Sequence, residues 1–237
     1  MKTVDFFLIT YPKDYPWLPY LWATIAKRAT GFRRCVLVIE PQDPTPSGLP
    51  TYVEVKRCRV YRGTDVAGYW GQSIEGLRAH EYTDADVIWF LESDCIFTRP
   101  VDVRVDKGFG QPEPCILRQK WEHVGVAAKW RPTTLGLLGE APAETMRAHP
   151  FVYPRGHFEA CWSHIGGEER LRHVVLDGGE LSQFNVLGNF ALIHPEGFRI
   201  IDVDRESMPD SCMKQFWSHS GVEDASVVRE MEKLGLR

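Results

Sequence analysis

The chain has 237 residues, 43% of them hydrophobic, with 28 Lys and Arg against 32 Asp and Glu for a formal net charge of −4. That is enough apolar sequence for a full core, and no low-complexity linker divides it, so one domain of two lobes is expected over 1–237, the first 1–105 and the second 106–237. The charge excludes a global polycation, no run approaches the ~20 apolar residues of a membrane span, and the N-terminus lacks the order of a signal peptide, which predicts a cytoplasmic protein without a membrane span.

The first element is the strand Thr3-Val-Asp-Phe-Phe-Leu-Ile-Thr10. A loop with Tyr11, Pro12, Lys13 and Asp14 leads from it into a helical pattern through Trp17, Leu18, Leu21, Ile25 and Ala26. After the basic turn Gly31-Phe-Arg-Arg34 comes a second strand, Cys35-Val-Leu-Val-Ile-Glu40, and after a Pro-rich loop a third, Thr51-Tyr-Val-Glu-Val55. The turn Gly68-Tyr-Trp-Gly-Gln72 then opens an amphipathic helix with Ile74, Leu77 and Arg78. Strands and helices alternating at this spacing predict an α/β sheet of βαβ units.

The fourth strand ends in Phe90-Leu-Glu-Ser-Asp-Cys-Ile-Phe97, and its run Val87 to Leu91 is continuous and apolar, as in a parallel strand covered on both faces. Residues two apart on a strand share a face, so Glu92 and Asp94 are placed to reach one hard cation while Ser93 points away. Mn²⁺ or Mg²⁺ held by one or two carboxylates keeps positions open for diphosphate oxygens. The alternative for such an acid pair is a solvated strand end. The stretch resembles the Asp-x-Asp element of GT-A glycosyltransferases, with Glu in place of the first Asp. The resemblance implies a single GT-A-like, Rossmann-like domain with a central, mostly parallel sheet flanked by helices. In it the first βα loop (Thr10, Tyr11, Asp14) holds the nucleoside, Gln72 binds the donor, and the acidic strand end holds the metal.

In the second half, Cys115 to Arg118 reads as a short strand, and Trp121, His123, Trp130 and Arg131 form an aromatic and polar segment suited to stacking on a sugar or base, or to a second small core. Gly156 to Ile165 reads as a helix with Phe158, Cys161, Trp162 and Ile165 on one face, leaving His157 and Glu159 for the cleft or for solvent. The flexible Asp177-Gly-Gly-Glu180 precedes another helix with Phe184, Leu187 and Gly188. A carboxylate at such a junction, Glu180 first and Asp177 second, is placed as a general base. Leu181 to Phe190 resembles the Ser-Glu-(aromatic)-x-x-x-Gly-Asn pattern of a group of little-characterised bacterial and phage glycosyltransferases, except that Gln183, which cannot take a proton, stands where the pattern has an acid. The GT-A resemblance also carries a late cation and a late metal-binding His onto Lys214 and His219 of Lys214-Gln-Phe-Trp-Ser-His-Ser-Gly221. The six cysteines, Cys35, Cys58, Cys95, Cys115, Cys161 and Cys212, have no zinc spacing and read as buried free thiols.

The expectation is therefore a transferase that uses Mn²⁺ or Mg²⁺ to move a sugar from a nucleotide diphosphate, by default UDP, to a saccharide hydroxyl. A phage-type DNA glycosyltransferase acting on a hydroxymethylated base is an alternative, with Arg118 to Arg131 as its basic contact. A non-catalytic nucleotide-sugar or glycan-binding module is another, favoured by Glu92 and Gln183. A hydrolase is disfavoured, because neighbouring carboxylates cannot flank a glycosidic bond.

Overall fold

The computed structural model describes residues 2–59, 69–176, 180–216 and 224–235. In chain order the elements are β1 (Val4–Ile9), a 3₁₀ turn (Pro12–Trp17), α1 (Leu18–Arg28), β2 (Ala29–Thr30), β3 (Cys35–Ile39), β4 (Val53–Arg57), α2 (Tyr69–Leu77), α3 (Ala79–Tyr82), β5 (Val87–Leu91), β6 (Cys95–Phe97), β7 (Val101–Asp102) and β8 (Cys115–Arg118). Two 3₁₀ turns (Trp121–His123 and Gly125–Trp130) follow, then α4 (Arg131–Leu138), β9 (Phe151–Pro154), α5 (Arg155–His164), α6 (Gly167–Leu176), α7 (Gln183–Ile193), β10 (Arg199–Asp202), β11 (Met213–Gln215) and α8 (Asp224–Lys233).

The fold is α/β, with a central five-stranded sheet in the order β4-β3-β1-β5-β9. Its first four strands run parallel, and β9 closes the β5 edge antiparallel, Phe90 opposite Phe151. Alternate side chains of each strand enter different cores, as the period of two requires. Phe7, Val36, Val38, Ile88 and Phe90 pack with α2, α5 and α7 through Ile74, Leu77, Phe158, Phe184 and Leu187. Phe6, Leu8, Cys35, Leu37, Trp89 and Leu91 pack with α1 through Leu18, Leu21, Trp22 and Ile25. A sheet covered on both faces explains why β1, β3 and β5 are continuous apolar runs, every residue buried.

The one acid inside these runs, Asp5, is fully buried and held by Arg33, Arg34 and Thr83. Burial pushes its carboxyl up, but the hydrogen bonds from Arg33, Thr83 and Arg34 outweigh that and hold it below the usual range. The basic turn before β3 is thus a structural clamp at the amino end of the sheet.

From β1 the chain winds outward through β3 to β4 and then returns to the other side of β1 as β5. The direction of winding reverses between β1 and β5. In open α/β sheets ligands bind beyond the carboxyl ends of the strands at such a switch point. Three short pairings, β8 with β10, β6 with β11 and β2 with β7, lie outside this sheet.

Candidate functional site

Beyond the carboxyl ends of β1 and β5 lies a cavity of about 470 Å³, lined by Tyr11, Asp14, Tyr69, Gln72, Glu92, Ser93, Asp94, Lys129, Trp130, Met146, Glu180 and Gln215. Six sequence-predicted residues from four separate segments meet in it: Tyr11 and Asp14, Gln72, Glu92 and Asp94, and Glu180.

Tyr11 leaves β1 in an extended conformation, and the 3₁₀ turn that follows brings Asp14 back so that its backbone N–H donates to Tyr11 O at 2.9 Å. Tyr69 and Gln72 lie on the first turn of α2. The acids reach the cavity by a different route from the one predicted. The strand stops at Leu91, and Glu92 to Cys95 form a turn closed by Cys95 N–H donating to Glu92 O at 3.1 Å. Ser93 consequently lines the cavity too instead of facing away.

Behind the turn, β11 pairs antiparallel with β6, Gln215 opposite Cys95, and Phe216 N–H donates to Asp94 O at 3.0 Å. This register aims the Gln215 amide at both acids, donating to Glu92 Oε2 and to Asp94 Oδ1, the latter at 3.4 Å. The alternation that turns Gln215 inward turns Lys214 outward. Lys214 is half exposed, pairs with Glu230 of α8 at 2.9 Å, and does not line the cavity. Thr10 is also displaced from its expected role: it is buried, and its N–H extends the sheet by donating to Val38 O at 3.1 Å. Asp177, His219 and Gly68 lie outside the described residues.

His149 is a site residue that sequence reasoning missed. Its Nε2 lies 3.0 Å from Glu92 Oε2, and its buried ring sits edge-on to Phe151 and Phe184. The available signal was a His-Pro step just before a strand, which indicates extended chain and nothing about its partner. Gln215, Lys129, Tyr69 and Met146 were missed as well.

The motif around α7 turns out to be largely structural. Ser182 caps the helix by accepting from Asn185 N–H. Asn189 bonds both the N–H and the C=O of Ala143, and Asn185 accepts from Thr145 N–H, so the two asparagines strap segment 143–146 to the helix and place Met146 in the cavity wall. Gln183 is buried, with its side chain packed on Gly76 of α2, and it does not line the cavity. Glu180 precedes the cap and pairs with Lys129 at 3.4 Å.

The aromatic and basic segment divides. Trp121 is core, its Nε1 donating to Ala141 O, while Arg118 pairs with Asp202 and His123 with Asp204. Trp130 lines the cavity with Lys129. His157 is neither in the cleft nor on the surface: it is buried against Tyr153 and bonded to Leu187 O, while Glu159 is exposed and pairs with Arg155. All six cysteines are buried free thiols.

Electrostatically, the lining sets Asp14, Glu92, Asp94 and Glu180 against Lys129. Burial, followed by Asp14 and then by Asp94 and Glu92, pushes the Tyr11 phenol up to about 12, so it stays neutral and able to donate. A wall this acidic repels a bare diphosphate and attracts a cation. Among the described residues no three His, Cys, Asp or Glu side chains are gathered as a metal site. Glu92 and Asp94, within reach of a single Gln215 amide, suit a hard cation that takes its remaining ligands from substrate and water. No protein-family model matches the chain, and no curated protein matches it either.

Proposed function

We propose that the protein is a metal-dependent glycosyltransferase that moves a sugar from a nucleotide diphosphate donor, by default a UDP-sugar, to a hydroxyl of a saccharide acceptor. The observation that supports this reading is convergence. Residues that the sequence nominated separately for nucleoside, donor, metal and base line one cavity at the switch point of an α/β sheet.

In this reading Tyr11 offers a stacking face to the base, Asp14 a hydrogen-bond acceptor to base or ribose, and Gln72 an amide to the donor. Glu92 and Asp94 hold Mn²⁺ or Mg²⁺, with Gln215 and His149 fixing the carboxylates. The bound cation supplies charge to offset that gathering on the leaving diphosphate. Glu180 takes the proton of the acceptor hydroxyl as its oxygen bonds to the anomeric carbon and the bond to the diphosphate breaks, which favours inversion. Lys214 has no part in this scheme.

One observation favours the second reading, a non-catalytic nucleotide-sugar or glycan-binding module: Glu92 already satisfies two protein donors, and Glu180 is ion-paired. Release of the nucleotide diphosphate in the presence of a saccharide acceptor separates the two readings.

The first test is thermal unfolding with UDP, GDP, ADP and CDP, each with Mn²⁺ and with EDTA. A ligand at ~100 times its Kd stabilises the native state by about 2.7 kcal/mol, a shift of several degrees in a chain of this size. The expected result is a metal-dependent shift with one nucleotide, lost in Asp94→Ala. No shift with any nucleotide overturns the proposal.

A further inference from the structure

With Lys214 turned away, the proposed donor site lacks the cation that the sequence assigned to it. Among the described residues that line the cavity the only cationic side chain is Lys129. Resting on the donor-site reading above, we infer that Lys129 is the diphosphate-binding cation, and that donor binding moves its ammonium from Glu180 to phosphate oxygens, releasing the carboxylate that serves the acceptor.

The root of Lys129 is fixed and its side chain is half exposed. It is the penultimate residue of the 3₁₀ turn Gly125–Trp130, which runs directly into α4. Arg131 N–H donates to Ala128 O, and Thr134 Oγ1 donates to Trp130 O at 2.9 Å, which anchors the turn on either side of Lys129. Trp130 itself forms part of the cavity wall, and the Lys129 ammonium lies 5.6 Å from its ring centre. From this base a flexible four-carbon stem carries a strongly hydrated charge that can change partners without moving the backbone.

The present partner is a weak competitor. The Lys129 to Glu180 pair is 3.4 Å long, with side chains 50% and 44% exposed. Exposed pairs of this kind hold their geometry loosely. A diphosphate offers several anionic oxygens and stronger charge-assisted hydrogen bonds than one solvated carboxylate. The ion pair keeps the ammonium on one side of the Glu180 carboxylate. Once the ammonium turns to phosphate, that side of the carboxylate faces the acceptor. Donor binding and exposure of the base are thereby coupled through one lysine, which orders the two substrates: donor first, acceptor second.

The test uses the full chain with Mn²⁺ and compares the diphosphate selected by the thermal panel with its nucleoside, by calorimetry for the former and ligand-observed NMR for the latter. Lys129→Met should weaken the diphosphate by about tenfold or more and leave the nucleoside unchanged, and Lys129→Arg should recover most of the affinity. Lys214→Met should bind as wild type does. Glu180→Gln removes the competing carboxylate and should tighten the diphosphate by about threefold. Wild-type affinity in Lys129→Met, or equal loss of diphosphate and nucleoside, overturns the inference while leaving the donor site standing. No tightening in Glu180→Gln overturns the transfer step. A wild-type protein that binds no diphosphate removes the donor-site reading itself.

Discussion

Glu180 and His157 illustrate how the setting of a single side chain decides its chemistry. Glu180 lines the cavity next to the capped start of α7, while Gln183, where the resembled motif carries an acid, is buried away from it. If Glu180 is the base, Glu180→Gln should lower kcat for sugar transfer by about 10²- to 10⁴-fold without loss of donor affinity, measured by steady-state transfer alongside calorimetry. Retained kcat would move the proton transfer elsewhere. His157 is a structural residue with a titration signature. A carbonyl only accepts, so Nε2–H donates to Leu187 O at 2.9 Å. Burial dominates and lowers its pKa from 6.5 to about 4, with the Leu187 bond opposing and His194 adding to the shift. The folded pKa lies below the unfolded value, so between them the unfolded state binds more protons and stability falls as pH drops through that window. Going from pH 7 to pH 5 should cost the wild type about 2 kcal/mol more than His157→Gln, which keeps a donor and cannot titrate. Urea unfolding at the two pH values measures this, and equal losses would show that His157 does not titrate on unfolding.

At the scale of elements, α7 shows how a short motif serves packing before chemistry. A Cβ on Gly188 would sit 2.5 Å from Thr145 Cβ, so segment 143–146 lies against the helix where no side chain fits. Gly188→Ala would gain about 1 kcal/mol of helix propensity. Overpacking costs about 1–3 kcal/mol, and more when backbone must shift, so a net loss near 2 kcal/mol is expected. Asn189→Ala leaves the N–H and C=O of Ala143 buried without their side-chain partners, for a loss of about 2–4 kcal/mol. Chemical denaturation of both variants checks these values, and a Gly188→Ala protein as stable as wild type would mean the strap moves freely. The strands β1, β3 and β5 were legible because burial on both faces leaves an unbroken apolar signature. The contrast between Lys214 and Gln215 was not legible. A three-residue strand carries no periodicity of its own, and which side chain turns inward is set by its register on β6, over a hundred residues earlier. For the same reason His149 and Lys129 were not nominated for the donor site: His149 is buried and bonded to Glu92, and Lys129 meets Glu180, each pairing joining residues about fifty apart in sequence. The acid pair was found by a strand argument, although a turn delivers it, because both geometries bring residues 92 and 94 to the end of β5.

For the whole molecule, the sequence suggested a nucleotide-binding lobe over 1–105 followed by an acceptor lobe, and the α/β architecture follows from the alternation in the first of these. The structure ties the two halves into one packing unit. Strand β9 pairs with β5 over Val87 to Phe90, and without it the edge of the sheet lies open along a fully buried apolar strand. On one face, Phe7, Val36, Val38 and Phe90 pack with Phe158, Phe184 and Leu187 from α5 and α7 as well as with Ile74 and Leu77 of α2, and Phe90 meets Phe184 with ring centres 5.0 Å apart. Gly76 of α2 is in contact with Gln183 of α7, so even the helix nearest the proposed donor packs on the second half. A fragment ending at residue 105 keeps the α1 face, and on the other face keeps α2 but loses α5 and α7. An exposed apolar face of this kind and an open hydrophobic edge drive aggregation. We therefore expect fragment 1–105 to be insoluble or to give a collapsed amide spectrum without dispersed resonances, and to show no nucleotide-dependent stabilisation. A soluble fragment with dispersed amides would mean that the first four strands and α1 hold their own core. Its nucleotide response would then show whether Tyr11, Asp14, Gln72, Glu92 and Asp94 form a donor site without Gln215 and His149 behind them.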